Sequence, residues 1–152
     1  MSLKDRMGDE IKAAMKAKDK IRLNTVRSVK KVILEKESEL RAKGIDELTE
    51  AQEMEILAKL AKQRRDSVEQ FTKAGRDDLA EKESQELTVL EEFLPAQMSE
   101  EEVAAAVEGA IAQTGASSQK DMGKVMGVLM KELKGKADGK LIQSLVKDKL
   151  SS

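Results

Sequence analysis

Apolar residues recur every three or four positions along almost the whole chain, which is the spacing of one face of a helix. Leu3, Met7, Ile11 and Met15 step by four and predict a first amphipathic helix that ends near Asp19. Six further segments carry such stripes. The positions expected to be buried in them are Leu23, Val26, Ile33, Leu34 and Leu40; Met54, Leu57, Leu60, Ala61, Val68 and Phe71; Leu79, Leu87, Leu90, Phe93 and Leu94; Val103, Val107 and Ile111; Met122, Met126, Leu129 and Leu133; and Leu141, Leu145 and Leu150. The sequence therefore predicts an all-α fold.

Polar residues and glycines at the ends of these segments support the same prediction. Thr49 with Gln52 and Ser99 with Glu102 fit capping boxes, in which side chains hold the first unpaired backbone N–H groups of a helix. Aspartates are expected to cap three other helices. They are Asp19, either Asp77 or Asp78, and Asp138. Glycines are expected to end four helices in the left-handed backbone conformation. They are Gly44, Gly75, Gly115 and Gly135.

The single proline of the chain, Pro95, predicts a boundary between two parts. Residues 1–95 are expected to form an N-terminal helical domain, built as a long-helix bundle or hairpin in which the second and third helices form an antiparallel pair. Residues 96–152 are expected to form a small three-helix bundle.

The residue types that are missing exclude most familiar kinds of active site. The chain has no histidine, cysteine, tyrosine or tryptophan, and only two phenylalanines. Zinc sites built on Cys and His, Ser-His-Asp triads and disulfides are therefore excluded, and no Gly-Lys pair has the spacing of a P-loop. We expect no catalytic residues, no cofactor and no metal. Because no apolar run is long enough to span a bilayer and no apolar signal segment is visible, a soluble, cytoplasmic protein is expected.

Charge is concentrated in blocks, and the last block is basic. Residues 116–152 carry eight lysines and four acidic residues, whereas residues 77–115 carry one basic and eleven acidic residues. Lys120, Lys124, Gly127, Lys131 and Lys134 share one helical face. Glycine inside a helix costs about 1 kcal/mol relative to alanine, so the glycines there either allow close helix packing or give a ligand access to the backbone.

The amino-acid sequence of this segment resembles that of a known family. The run DMGKVMG at 121–127, followed by KGKADG at 134–139, is similar to the tail domain shared by the GatB subunit of tRNA-dependent amidotransferases and the stand-alone YqeY proteins. The segments 60–86 and 91–102 also resemble the YqeY pattern, so the resemblance covers nearly the full length. It implies an all-helical protein in two parts, with a tail that in GatB contacts the transfer RNA. Nothing in the chain resembles the GatB domain that performs amidation.

We therefore predict a non-catalytic, tRNA-binding or translation-associated accessory protein that binds folded RNA through its tail. The residues expected to bind RNA are Lys120, Gly123, Lys124, Gly127, Lys131, Lys134, Lys136 and Lys140, with Lys62, Arg64 and Arg65 of the third helix as a second group. tRNA or another folded RNA is the expected partner, and neither DNA nor a membrane is expected.

Two alternatives remain open at this stage. Met122, Met126 and Met130 form a methionine-rich stripe that suits a protein-interaction module, which would receive a helix from an amidotransferase or synthetase subunit. The resemblance to GatB also implies an accessory component of a carbon-nitrogen ligase with glutamine as the amide donor.

Overall fold

A computed structural model describes residues 1–151, and this part of the chain is all-α, as predicted. The helices are α1 (Leu3–Ala17), α2 (Lys20–Arg41), α3 (Glu50–Lys73), α4 (Asp77–Glu91), α5 (Glu100–Thr114), α6 (Met122–Glu132) and α7 (Gly139–Ser151), with a 3₁₀ turn at Gln119–Asp121. The chain divides into two compact units, Met1–Leu94 (unit 1) and Pro95–Ser152 (unit 2). Within residues 1–151, every helix is either too short or too polar to cross a membrane.

Most predicted helix ends are present and are held by the expected side chains. The Thr49 hydroxyl accepts a hydrogen bond from the Gln52 N–H at 3.1 Å, and the Gln52 side chain accepts one from the Thr49 N–H at 2.9 Å. The Asp19 carboxylate accepts from the Arg22 N–H at 3.1 Å. The glycines predicted to end helices all have positive φ. These caps show that local sequence sets where the helices begin and end.

The start of α4 differs from the prediction that Asp77 or Asp78 would cap it. Arg76 occupies the N-cap position and makes no side-chain capping bond. The preceding glycine turn is tight, because the Arg76 N–H reaches back to the Phe71 carbonyl at 2.9 Å, so α4 begins one residue after it. Asp78 instead pairs with the Arg76 guanidinium, and this hydrogen bond lowers the pKa of Asp78.

The core of unit 1 is formed by all four of its helices. Its most deeply buried side chains are Met7, Val26, Val29, Ile33, Ala61 and Leu90. α1 packs mainly on α2, and α3 mainly on α4, so the expected pair of α2 and α3 is the less extensive contact. A groove between the two long helices is lined by charged side chains, including Glu35, Glu39 and Lys59, beside the apolar Val32 and Ile56.

The core of unit 2 is formed by α5, α6 and α7 around a set of aliphatic side chains. Its fully buried members are Val103, Val107, Val125, Leu129 and Val146, with Ile142 and Ala110 almost fully buried.

Helices α6 and α7 are rotated relative to the predicted stripes. Val125 and Leu129 point into the core, whereas Met126 is half-buried at its edge. In α7, Ile142 and Val146 are buried, and the predicted Leu141 and Leu145 flank them. The stripes were ambiguous because two adjacent positions are apolar in each case, and the packing partners decide which one is buried.

We expect Leu129→Ala to lower the free energy of unfolding of unit 2 by about 2–5 kcal/mol, because it leaves a cavity in a closed aliphatic core. Leu129 is fully buried, while the adjacent Met130 is 47 % exposed, so Met130→Ala is the matched control. Urea denaturation followed by circular dichroism measures both changes. Equal effects of the two substitutions would contradict this packing.

Candidate nucleic-acid interface

The predicted lysine and glycine row lies on the outer face of the turn Gln119–Asp121 and of α6. Lys120, Gly123, Lys124, Gly127 and Lys131 are all exposed. The opposite face of α6 carries Val125 and Leu129 and is fixed by the core. The row therefore faces away from the core of unit 2.

The two glycines of this row make no close contact with another helix in residues 1–151. A methyl group built at Gly123 or at Gly127 would meet nothing within 4 Å. Close helix packing within the described chain therefore does not explain them. Because each glycine costs about 1 kcal/mol relative to alanine in a helix, both leave a bare and exposed stretch of backbone at a cost in stability.

The lysines that flank the glycines are available to a ligand. Lys120, Lys124 and Lys131 form no ion pair with any other of residues 1–151. By contrast, Lys149 of α7 lies 2.6 Å from the Glu108 carboxylate, and this hydrogen bond lowers the pKa of Glu108. The positive charge of unit 2 is thus unneutralised on the α6 face.

The remaining lysines of the predicted site lie at the end of α6 and the start of α7. Lys134, Lys136 and Lys140 are exposed, and Lys134 and Lys140 already take part in interactions within the protein. The turn that holds them is fixed from the other side, because the Met98 N–H donates to the Lys136 carbonyl at 2.8 Å and the Gln97 side chain donates to the Gly135 carbonyl at 2.8 Å. Sequence reasoning missed this anchoring by residues 97 and 98, since no local spacing signals it.

The N-terminus of the α6 segment is less suited to an anion than the lysine row. The Ser118 side chain makes no capping bond, and the Asp121 carboxylate accepts a hydrogen bond from the Ser117 N–H at 3.0 Å. Asp121 therefore places a negative charge at this end of the helix, which disfavours a second anion there.

The second predicted group, on α3, is partly engaged by carboxylates of unit 1. Arg64 lies 3.0 Å from Glu86 and 3.6 Å from Glu83, and its side chain is mostly buried. Lys62 pairs with Asp66 at 3.3 Å, and Arg65 also takes part in interactions within the protein. These residues remain predicted RNA ligands, but each would exchange an existing contact for a phosphate.

The fold and the surface of α6 define a small all-helical protein in two units, the second of which presents unpaired lysines around bare helical backbone. The sequence matches the family of Yqey-like proteins over residues 4–150, and the chain belongs to this family.

Curated relatives of the chain are found in yeasts. The chain is 40 % identical over 84 residues to "Altered inheritance of mitochondria protein 41, mitochondrial" of Kluyveromyces lactis, which covers 55 % of this chain and 44 % of that protein. It is 30 % identical over 134 residues to the protein of the same name of Saccharomyces cerevisiae, which covers 88 % of this chain and 62 % of that protein. The chain thus spans about half the length of the curated relatives it matches.

We expect Gly123→Ala and Gly127→Ala each to raise the free energy of unfolding by up to about 1 kcal/mol, since alanine is the better helix former and its methyl group meets open space. Gly135→Ala is the matched control and should destabilise the protein, because Gly135 has a φ of 76°. Thermal or urea unfolding measures all three. Destabilisation by the two α6 substitutions would contradict the open environment of these glycines.

Proposed function

We propose that the chain is a non-catalytic, translation-associated accessory protein that binds tRNA or another folded RNA through the exposed face of α6. The observation that carries this proposal is the combination of three unpaired lysines with two glycines whose side-chain space is empty. Stability alone would favour alanine at both positions, so a ligand that needs close access to the backbone explains them.

Phosphate contacts fit this surface better than recognition of bases. Lys120, Lys124 and Lys131 act as point charges for phosphates, and the glycines let a sugar-phosphate chain approach the helix. Binding of single-stranded RNA relies on exposed aromatic rings that stack on bases. Of the two phenylalanines, Phe93 is buried and Phe71 is half-buried. The proposed ligand is therefore a folded RNA that is recognised by its shape and its backbone.

The proposal assigns no reaction to the chain. Glutamine-dependent amide transfer begins with a nucleophile that attacks glutamine, and the chain has no cysteine to act as one and no histidine to activate a serine. A role beside the catalytic subunits of such a ligase is compatible with this composition.

The alternative proposal is a protein-interaction module. Met130 is 47 % exposed on α6, beside the half-buried Met126, and an adaptable methionine surface suits a partner helix. Co-purification of amidotransferase or synthetase subunits with the chain, lost in Met130→Glu, would favour this alternative.

We propose the cytoplasm as the compartment of the chain, whereas the names of the yeast relatives assign those proteins to mitochondria. A chain without cysteine fits either reducing compartment. Cell fractionation of the native protein decides between them.

The RNA proposal predicts saturable binding of tRNA at low salt, with log K falling against log salt at a slope of about −3 to −4 if about four lysines meet phosphates. The triple substitution of Lys120, Lys124 and Lys131 to Gln should weaken binding and reduce the slope by about 1 for each lysine. Fluorescence anisotropy of labelled tRNA through a salt titration measures both quantities.

The matched control replaces three lysines of unit 1 that already have carboxylate partners. Lys4, Lys36 and Lys73 pair with Glu37, Glu39 and Glu69, so their substitution to Gln changes the net charge equally but removes no unpaired lysine. Gly127→Ala adds a second test, since it should weaken RNA binding while stabilising the fold. No tRNA binding at low salt, or an equal loss in the control, would refute the proposal.

A further inference from the structure

A second basic surface lies in unit 1, on the hairpin formed by α1 and α2. Residues 11–34 carry eight basic residues and one acidic residue, Asp19. The whole chain has a net charge of −1. These residues sum to +7 and the rest of the chain to −8, so the hairpin is a local concentration of positive charge on an otherwise acidic protein.

Most of these basic side chains are not neutralised within the protein. Arg22 is the exception, because it bonds the carboxylates of Glu10 at 2.7 Å and Glu92 at 2.6 Å, which raises the pKa of its guanidinium. The other basic residues among positions 11–34 form no ion pair with any of residues 1–151. They are Lys12, Lys16, Lys18, Lys20, Arg27, Lys30 and Lys31. The charge is thus available to a partner outside the chain.

Apolar side chains lie among these charges. An open depression of about 460 Å³ between α1 and α2 is lined by Ile11, Leu34, Arg27, Lys30, Lys31 and Glu35. Leu34 is 45 % exposed, and Met15, one turn along α1 from Ile11, is 54 % exposed. A surface that only contacted phosphates would gain nothing from exposing these two side chains.

We propose that this face of α1 and α2 is a docking surface for an anionic lipid bilayer. Lysine and arginine side chains attract acidic headgroups, and the aliphatic side chains between them enter the boundary between headgroups and acyl chains. Met15, Leu34 and the half-buried Ile11 provide the apolar centre.

A bilayer fits this surface better than a protein helix does. A stable protein interface buries about 800 Å² on each partner, whereas the apolar centre here consists of three side chains in an open depression. Charge supplies most of the attraction in this arrangement, and each basic residue near an anionic surface strengthens binding about fivefold.

The inference is independent of the RNA proposal, because it concerns another unit of the chain and uses no residue of α6. It revises the sequence-based expectation that no membrane is a partner. That expectation rested on the lack of a segment long enough to span a bilayer, which does not bear on binding to its surface.

The test is sedimentation of the full chain with vesicles at low ionic strength. Vesicles of equal parts phosphatidylglycerol and phosphatidylcholine should bind the protein, and vesicles of phosphatidylcholine alone should not. Lys30→Gln with Lys31→Gln should weaken binding about 25-fold, and Leu34→Ser should weaken it several-fold at unchanged charge. Lys62→Gln with Lys73→Gln removes the same charge from ion-paired positions of α3 and should change binding little.

Three results would overturn the proposal. They are no binding to the anionic vesicles, an equal loss in the Lys62 and Lys73 control, and an unchanged affinity in Leu34→Ser. If the Lys30 and Lys31 substitutions abolish tRNA binding and leave vesicle binding intact, the surface belongs to the nucleic-acid interface instead. The α6 variants should bind vesicles normally, so failure of one proposal does not imply failure of the other.

Discussion

Burial of one aliphatic face on each helix of unit 2 is the constraint on which the rest of that unit depends. α6 is only three turns long, and its two fully buried side chains, Val125 and Leu129, set its rotation against α5 and α7. A shift by one residue would turn the helix by about 100°, which would replace Val125 in the core by either Lys124 or Met126. The outward direction of Lys124, Gly127 and Lys131 is therefore a consequence of core packing.

The α6 face combines two features that stability alone does not select. Gly127 lies exposed in the interior of α6, where glycine costs about 1 kcal/mol relative to alanine, and Gly123 lies in its first turn. Neighbouring lysines without carboxylate partners repel one another. Native proteins carry such features mainly where function requires them. Open space beside a helix glycine also occurs at Gly8 of α1 and at Gly109 of α5. The combination of two such glycines with three unpaired lysines directs attention to α6.

Charge has two different roles in this protein. On α3 and α4 several basic side chains are held by carboxylates, as in the contacts of Arg64 with Glu83 and Glu86, and there they contribute to the packing of unit 1. Among residues 11–34, all basic side chains except Arg22 lie without such partners, as do Lys124 and Lys131 of α6. Surface ion pairs contribute little to stability, so leaving these charges unpaired costs the fold little.

The sequence by itself determined the all-α class, most of the helix ends and the absence of thiol and imidazole chemistry, because spacing, capping and residue type are local properties. It could not decide whether Val125 or Met126 is buried, or whether Leu141 or Ile142 is buried, since either residue of each pair fits the helical spacing. It also left open whether Gly123 and Gly127 allow close helix packing. It did not show that Arg64 is ion-paired with carboxylates whereas Lys124 is not. Only the tertiary structure decided these points, because burial, empty space and ion pairing depend on residues that are distant along the chain and close in space.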